Sequence, residues 1–69
     1  MTIKAAVIGV GSMGVNHARV NWELPDVELV AVADFDETRV NSVAKKYSTK
    51  AYTDYQRMLD ETKPDEVTL

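Results

Sequence analysis

The chain has three glycines, Gly9, Gly11 and Gly14, and all of them fall in the stretch Gly9-Val10-Gly11-Ser12-Met13-Gly14. Glycine is used where a backbone turns sharply or must come close to another group. A G-x-G-x-x-G run between a strand and a helix gives each glycine a separate task. Gly9 makes the tight turn, Gly11 lets the main chain touch a pyrophosphate, and Gly14 lets the helix pack closely on the sheet. The unpaired N–H groups and the dipole at the start of that helix favour an anion. Ser12, at the mouth of the helix, adds a hydroxyl donor. Asp34 follows 20 residues after Gly14, near the spacing of a carboxylate that holds a ribose through its hydroxyls. The same carboxylate repels a 2′-phosphate, so NAD is expected over NADP. No arginine follows Asp34 directly; Phe35 does, and Arg39 lies a turn further on. The plainer reading is that the glycines serve only a tight strand–helix turn and that Asp34 opens a turn before Asp36.

The surrounding elements must place those groups. Ile3 to Val10 is apolar except for Lys4 and closes on glycine, the pattern of a strand buried on both faces. From Ser12 to about Leu24 the period becomes helical, with Gly14, Ala18 and Trp22 on one stripe and His17, Val20 and Leu24 beside it. Pro25 ends that helix. Val27 to Ala33 reads as a second buried strand, and Asp36 as the N-cap of a second helix. Val40, Val43, Ala44 and Tyr47 give this helix one apolar face, and Lys45 and Lys46 lie near its C-terminal end, where the dipole favours cations. Ala51 and Tyr52 form a possible short strand. Thr53 and Gln56 then read as a capping box for a short helix burying Tyr55, Met58 and Leu59. Pro64 breaks the chain before a third strand from about Glu66.

This alternation predicts an α/β fold, a partial Rossmann unit: half of a doubly wound parallel sheet, β-α-β-α-β, with strands ordered 3-2-1. Residues 1–69 form one domain. Hydrophobic residues make up 45% of the chain and charged ones 28%, a globular balance. The net charge of −3 lacks the basic footprint of a nucleic-acid binder. No apolar run reaches the roughly 18 residues of a membrane span, and the apolar start reads as a core strand and not a signal peptide. There is no cysteine and one histidine, His17, which leaves no thiol nucleophile, disulfide or Cys-based zinc site and fits a cytoplasmic setting.

The stretches AAVIGVGSMGVNHARV, VELVAVADFDETR, AYTDYQRML and KPDEVTL together resemble the start of the Gfo/Idh/MocA oxidoreductases. The shared features are G-x-G-x-M-G-x-x-H, a strand ending V-A-D, Y-x-D-Y-x-x-M-L, and P-D-x-V entering a strand. The resemblance spans essentially the whole chain. It implies NAD(P)-dependent hydride transfer on sugars, inositols and related polyols. It also implies that Gly9, Gly11, Ser12, Met13 and Gly14 line the pyrophosphate and Asp34 holds the adenosine ribose. His17 matches a family histidine but reads as a packed structural residue, and Met13 as a packing residue near the cofactor.

In that family a catalytic lysine in an E-K-P segment and a separate substrate domain come later in the chain. Neither pattern occurs in these 69 residues. No catalytic residue is therefore assigned, Lys45, Lys46, Lys50 and Lys63 included, and no metal ligand. Two other readings fit glycines after one strand and an acid after the next: a free-standing nucleotide-sensing module and an S-adenosylmethionine-binding fragment. In a full sheet ordered 3-2-1-4 the first strand lies between strands 2 and 4. Without a fourth strand, Ile3 to Val10 is expected to be a bare apolar edge, and two copies are expected to pair there as a homodimer.

Overall fold

The computed structural model describes residues 2–9 and 11–69, with residues 12–17 described by their backbone alone. The elements run β1 (Ile3–Ile8), α1 (Ser12–Glu23), β2 (Val27–Ala33), α2 (Glu37–Lys46), β3 (Lys50–Tyr52), α3 (Tyr55–Thr62) and β4 (Glu66–Thr68). All pairings are parallel, and the four strands lie in the order β3-β2-β1-β4. The α/β half-Rossmann architecture is as expected.

Its strand count and edges differ from expectation. The short stretch at Ala51 and Tyr52 is the true third strand and occupies one edge, paired with the end of β2. The segment from Glu66 is a fourth strand that crosses to the other side of β1, with Ala5, Ala6 and Val7 opposite Glu66, Val67 and Thr68. So β1 is not a bare edge: it has neighbours on both sides, and the argument for two copies pairing along it is removed. The Asp65 side chain and backbone clamp this crossing. The Lys4 N–H donates to Asp65 Oδ2 at 2.9 Å, and the Asp65 N–H donates to the Lys4 carbonyl at 2.8 Å.

Both faces of the sheet are covered, which is why β1 and β2 read as near-continuous apolar runs. On one face Val7, Leu29 and Val32 pack with Ala18 of α1 and with Val40, Val43, Ala44 and Tyr47 around α2. On the other, Ala6, Ala31 and Ala33 pack with the fully buried Met58 of α3. The β1–β2 register shifts between Ala5 and Ala6, so Ala5 faces Leu29 and Ala6 faces Ala31. Val30 is the extra residue, and it packs on the same side as Ala31. A bulge of this kind resets the alternation along a strand.

The helices follow their expected signals with small changes. Pro25 lies just past α1, whose C-cap is Leu24. Asp36 caps α2, and Lys45 and Lys46 occupy its last turn. The cap of α3 is Asp54, one residue after Thr53, because its carboxylate accepts from the N–H groups of both Gln56 and Arg57. Tyr55 therefore begins the helix on its outer side, 47% exposed, and is not buried as expected. On α1 the inward positions are Ala18 and Asn21, while Val20, Trp22 and Leu24 are each about half exposed. Trp22 still rests on Tyr47, ring centroids 5.7 Å apart, and ties α1 to α2.

Candidate functional site

The site gathers at the C-terminal ends of β1 and β2, where open α/β sheets bind ligands. β1 leads into Gly9, whose φ of +86° lies in the left-handed region that side-chain-bearing residues rarely adopt. The Gly9 N–H donates to the Ala33 carbonyl at 2.7 Å, so the turn starts directly from the last rung of the β1–β2 ladder. A Cβ on Gly9 would meet nothing within 4 Å. The turn is open space, not a crowded corner.

Gly11 is the N-cap of α1 and has no side chain to satisfy the first N–H groups of the helix. The first turn of α1 contains no acidic residue. A helix start with no side-chain cap and no acidic residue in its first turn suits an anion. A Cβ built on Gly11 would lie 3.7 Å from Nη1 of Arg39, an ordinary contact distance. Arg39, which sequence spacing set aside as a turn too far along, thus brings its guanidinium from α2 back to the glycine turn. The length of its side chain carried that reach, and helical position alone does not reveal it. The backbone of Ser12, Met13 and Gly14 belongs to α1; their side-chain environment, the packing role given to Gly14 and the role given to His17 lie outside the described residues, as does Val10.

Asp34 follows β2 and is half-buried. Its Oδ1 accepts from the Asp36 N–H at 2.8 Å, and its own N–H donates to the Tyr52 carbonyl at 3.0 Å. The turn reading of Asp34 is therefore correct as far as it goes. The same residue also lines a cavity of about 100 Å³ with Ile8, Gly9 and Ala33 on one side and Phe35, Thr53 and Tyr55 on the other. The turn bond orients the carboxylate without removing the residue from the cavity. One pocket thus has both Gly9 and Asp34 in its lining.

A second polar cluster stabilises the far side of α3. Arg57 Nε donates to Glu61 Oε2 at 2.6 Å, and the Tyr52 hydroxyl donates to Glu61 Oε1 at 3.0 Å. The Arg57 bond, helped by Tyr52, holds the Glu61 carboxyl below the usual carboxylate range. Burial, then the bond to Glu61, raises the Tyr52 phenol. This cluster links β3 to α3 and takes no part in the cavity. Among the described residues, no group of three or more His, Cys, Asp or Glu is placed to hold a metal ion, and no helix is long and apolar enough to cross a membrane.

A parallel β3-β2-β1-β4 sheet with a glycine turn opening onto an acid at the end of the next strand defines the first part of a Rossmann-type nucleotide-binding fold. The chain belongs to the Gfo/Idh/MocA family, described as an oxidoreductase family with an NAD-binding Rossmann fold, which matches residues 3–69. It is 34% identical over 64 residues to an inositol 2-dehydrogenase of Salmonella typhimurium, covering 88% of this chain and 19% of that protein. Among solved structures it is similar to the myo-inositol 2-dehydrogenase of Lactobacillus plantarum, at 29% identity and a TM-score of 0.88, covering 97% of this chain and 20% of that one. It is also similar to GenD2 from gentamicin A biosynthesis in complex with NAD, at 30% identity and a TM-score of 0.89, covering 96% of this chain and 19% of that one. The chain spans about a fifth of the length of these relatives. Of the readings drawn from sequence, the oxidoreductase family is the one these matches support.

Proposed function

We propose that this chain binds NAD(H) as the nucleotide-binding part of an oxidoreductase that acts on sugars or polyols by hydride transfer. The observation that carries the reading is the single cavity joining Gly9, at φ +86°, to Asp34. The open space above Gly9 and the ordinary contact distance at Gly11 leave the backbone bare where a diphosphate must approach, so the residues present fit the dinucleotide.

In this reading the N–H groups at the start of α1 take the diphosphate, with the Arg39 guanidinium balancing its charge and Ser12, Met13 and Gly14 lining it. Asp34 accepts hydrogen bonds from the adenosine ribose hydroxyls. A bound nicotinamide supplies the hydride acceptor or donor. These residues hold and orient the nucleotide; none of them is assigned to move a proton on the substrate. The names of the similar proteins, inositol 2-dehydrogenases among them, support a polyol as the substrate class. The absence of cysteine suits a reducing compartment such as the cytoplasm.

The preference for NAD over NADP rests on Asp34, whose negative charge opposes a 2′-phosphate. Isothermal titration of the chain with NAD⁺ and NADP⁺, at fixed ionic strength, tests it. NAD⁺ is expected to bind at least about tenfold tighter, the typical worth of one charge-assisted contact, and Asp34→Ser is expected to narrow that gap. Tighter binding of NADP⁺ to the unaltered chain would overturn the Asp34 assignment.

A further inference from the structure

The two edges of the sheet are built differently. β3 forms one, and its exposed Lys50 stands at the start of the strand. A lysine on an edge strand discourages pairing with another chain. β4 forms the other edge, and among the described elements β1 is the one that packs closely against it. Large apolar side chains left in water collect on this side. Trp22 leans on Tyr47 and so faces α2, which packs over β2 and β3. Val20 and Leu24 lie about 160° around α1 from Trp22 at 3.6 residues per turn, on the flank towards β4, and both are exposed. Ile3, alternating with the core residue Val7 along β1, is exposed on the same face of the sheet. Val67, level with Ala6, stands on the opposite face and is 38% exposed.

The main chain of β4 is open on the same side. The Ile3 and Gly9 N–H groups donate towards β2, to the Asp26 and Ala33 carbonyls, so alternation along β1 turns Ala6 towards β4. In a parallel pair, the residue level with a bonding residue carries its own N–H and carbonyl away from that partner. Val67, level with Ala6, therefore presents both groups at the open edge. We propose that two copies of this chain join their sheets along β4, the two strands antiparallel about a two-fold axis at Val67. Facing residues of an antiparallel pair exchange both N–H···O bonds, and Val67 is the residue of β4 whose groups point that way. A two-fold contact needs a surface that complements itself. Here Val67 meets its own counterpart and Glu66 meets Thr68 of the second copy, so no like charges stand opposite each other. Ile3, Val20 and Leu24 of both copies flank the seam. The homodimer expected from the sequence thus moves from β1 to β4. The strand has three residues, so the contact is small and the association weak.

The test is sedimentation equilibrium of the 69-residue chain from micromolar to millimolar concentration. The average mass is expected to rise from that of one chain towards that of two and to stop there. Val67→Lys and Val67→Glu each set like charges opposite each other, and each is expected to move association to at least about fivefold higher concentration. Because residue 67 lies on the axis, an equimolar mixture of the two variants is expected to regain association. Lys50→Glu, on the β3 edge, is expected to leave it unchanged. Hydrogen exchange of the unaltered chain needs no variant: the Val67 N–H is expected to exchange more slowly as concentration rises, while the Thr68 N–H, turned to β1, is not. A monomer at every concentration would overturn the pairing and give the edge to a strand of another polypeptide. Growth beyond two chains that Lys50→Glu abolishes would replace it with head-to-tail joining of β4 to β3. Association untouched by both Val67 variants, a mixture no better than either alone, or Val67 exchange independent of concentration would each overturn it too.

Discussion

The three helices among the described residues begin in two different ways. α2 starts on Asp36, whose carboxylate accepts from the Arg39 N–H at 3.1 Å, and α3 starts on Asp54, whose carboxylate accepts from two N–H groups. α1 starts on Gly11, which offers its own helix nothing. Side-chain caps satisfy the orphan donors of a helix from within and contribute to stability. A glycine start forgoes that contribution and leaves the donors to something outside the chain. The two capped ends serve the fold; the uncapped one lies beside Arg39, and the proposed nucleotide reading gives its donors to a ligand.

The contrast breaks first at Gly9. A valine there is forced into φ +86°, and Gly9→Val is expected to cost about 2 kcal/mol or more of stability, read by urea denaturation, with NAD⁺ binding lost as well. Gly11→Ala sharpens the comparison. Its Cβ would sit at ordinary contact distance from Arg39, so stability is expected to fall by no more than about 1 kcal/mol, the gap between glycine and alanine at a helix N-cap. NAD⁺ affinity is expected to fall about tenfold or more, since the added methyl stands where the backbone must meet the diphosphate. A large loss of stability in this variant would make Gly11 a structural glycine and end the distinction between the helix starts.

The capped ends should respond in the opposite sense. Asp54→Ala and Asp36→Ala are each expected to lower stability by about 1 kcal/mol through loss of the cap. Asp54→Ala is expected to leave NAD⁺ affinity unchanged, which titration of the variant checks. The smallest effect concerns Glu61. Its folded-state carboxyl is held low by Arg57 and Tyr52, so its contribution is present above the unfolded carboxylate pKa and is lost as pH falls through the folded one. The Tyr52 ring resonances, followed by NMR from neutral pH downward, are expected to shift only below the ordinary carboxylate range, and Glu61→Gln is expected to remove that step.

Much of this arrangement was legible in the residues themselves. β2 announced itself as an apolar run ending at an acid, and α2 carried its cap, its apolar face and its C-terminal lysines in plain order. The G-x-G-x-x-G spacing and Asp34 marked where the sheet opens. What escaped depends on contacts between distant residues. Glu66–Thr68 shows a strand but not its partner, and only the fold places it beside Ala5–Val7. β3 has just three residues, too few for any period to show. Tyr55 sits at an apolar-compatible position, yet the cap at Asp54 turns it outward. Arg39 lies on a helix of its own, and its reach to Gly11 is a property of the packed pair α1 and α2.

The slip in pairing at Ala5 and Ala6 has a bearing on chemistry. With it, Ile8 stands opposite Ala33, and the next step along the two strands sets Gly9 level with Asp34. Were Val30 paired regularly, with no slip, Ala33 would take that place, and the carboxylate would overshoot the turn by one residue and point from the other side of the strand. The extra residue is thus absorbed locally at Val30, and the two strand ends that carry Gly9 and Asp34 leave the sheet in step.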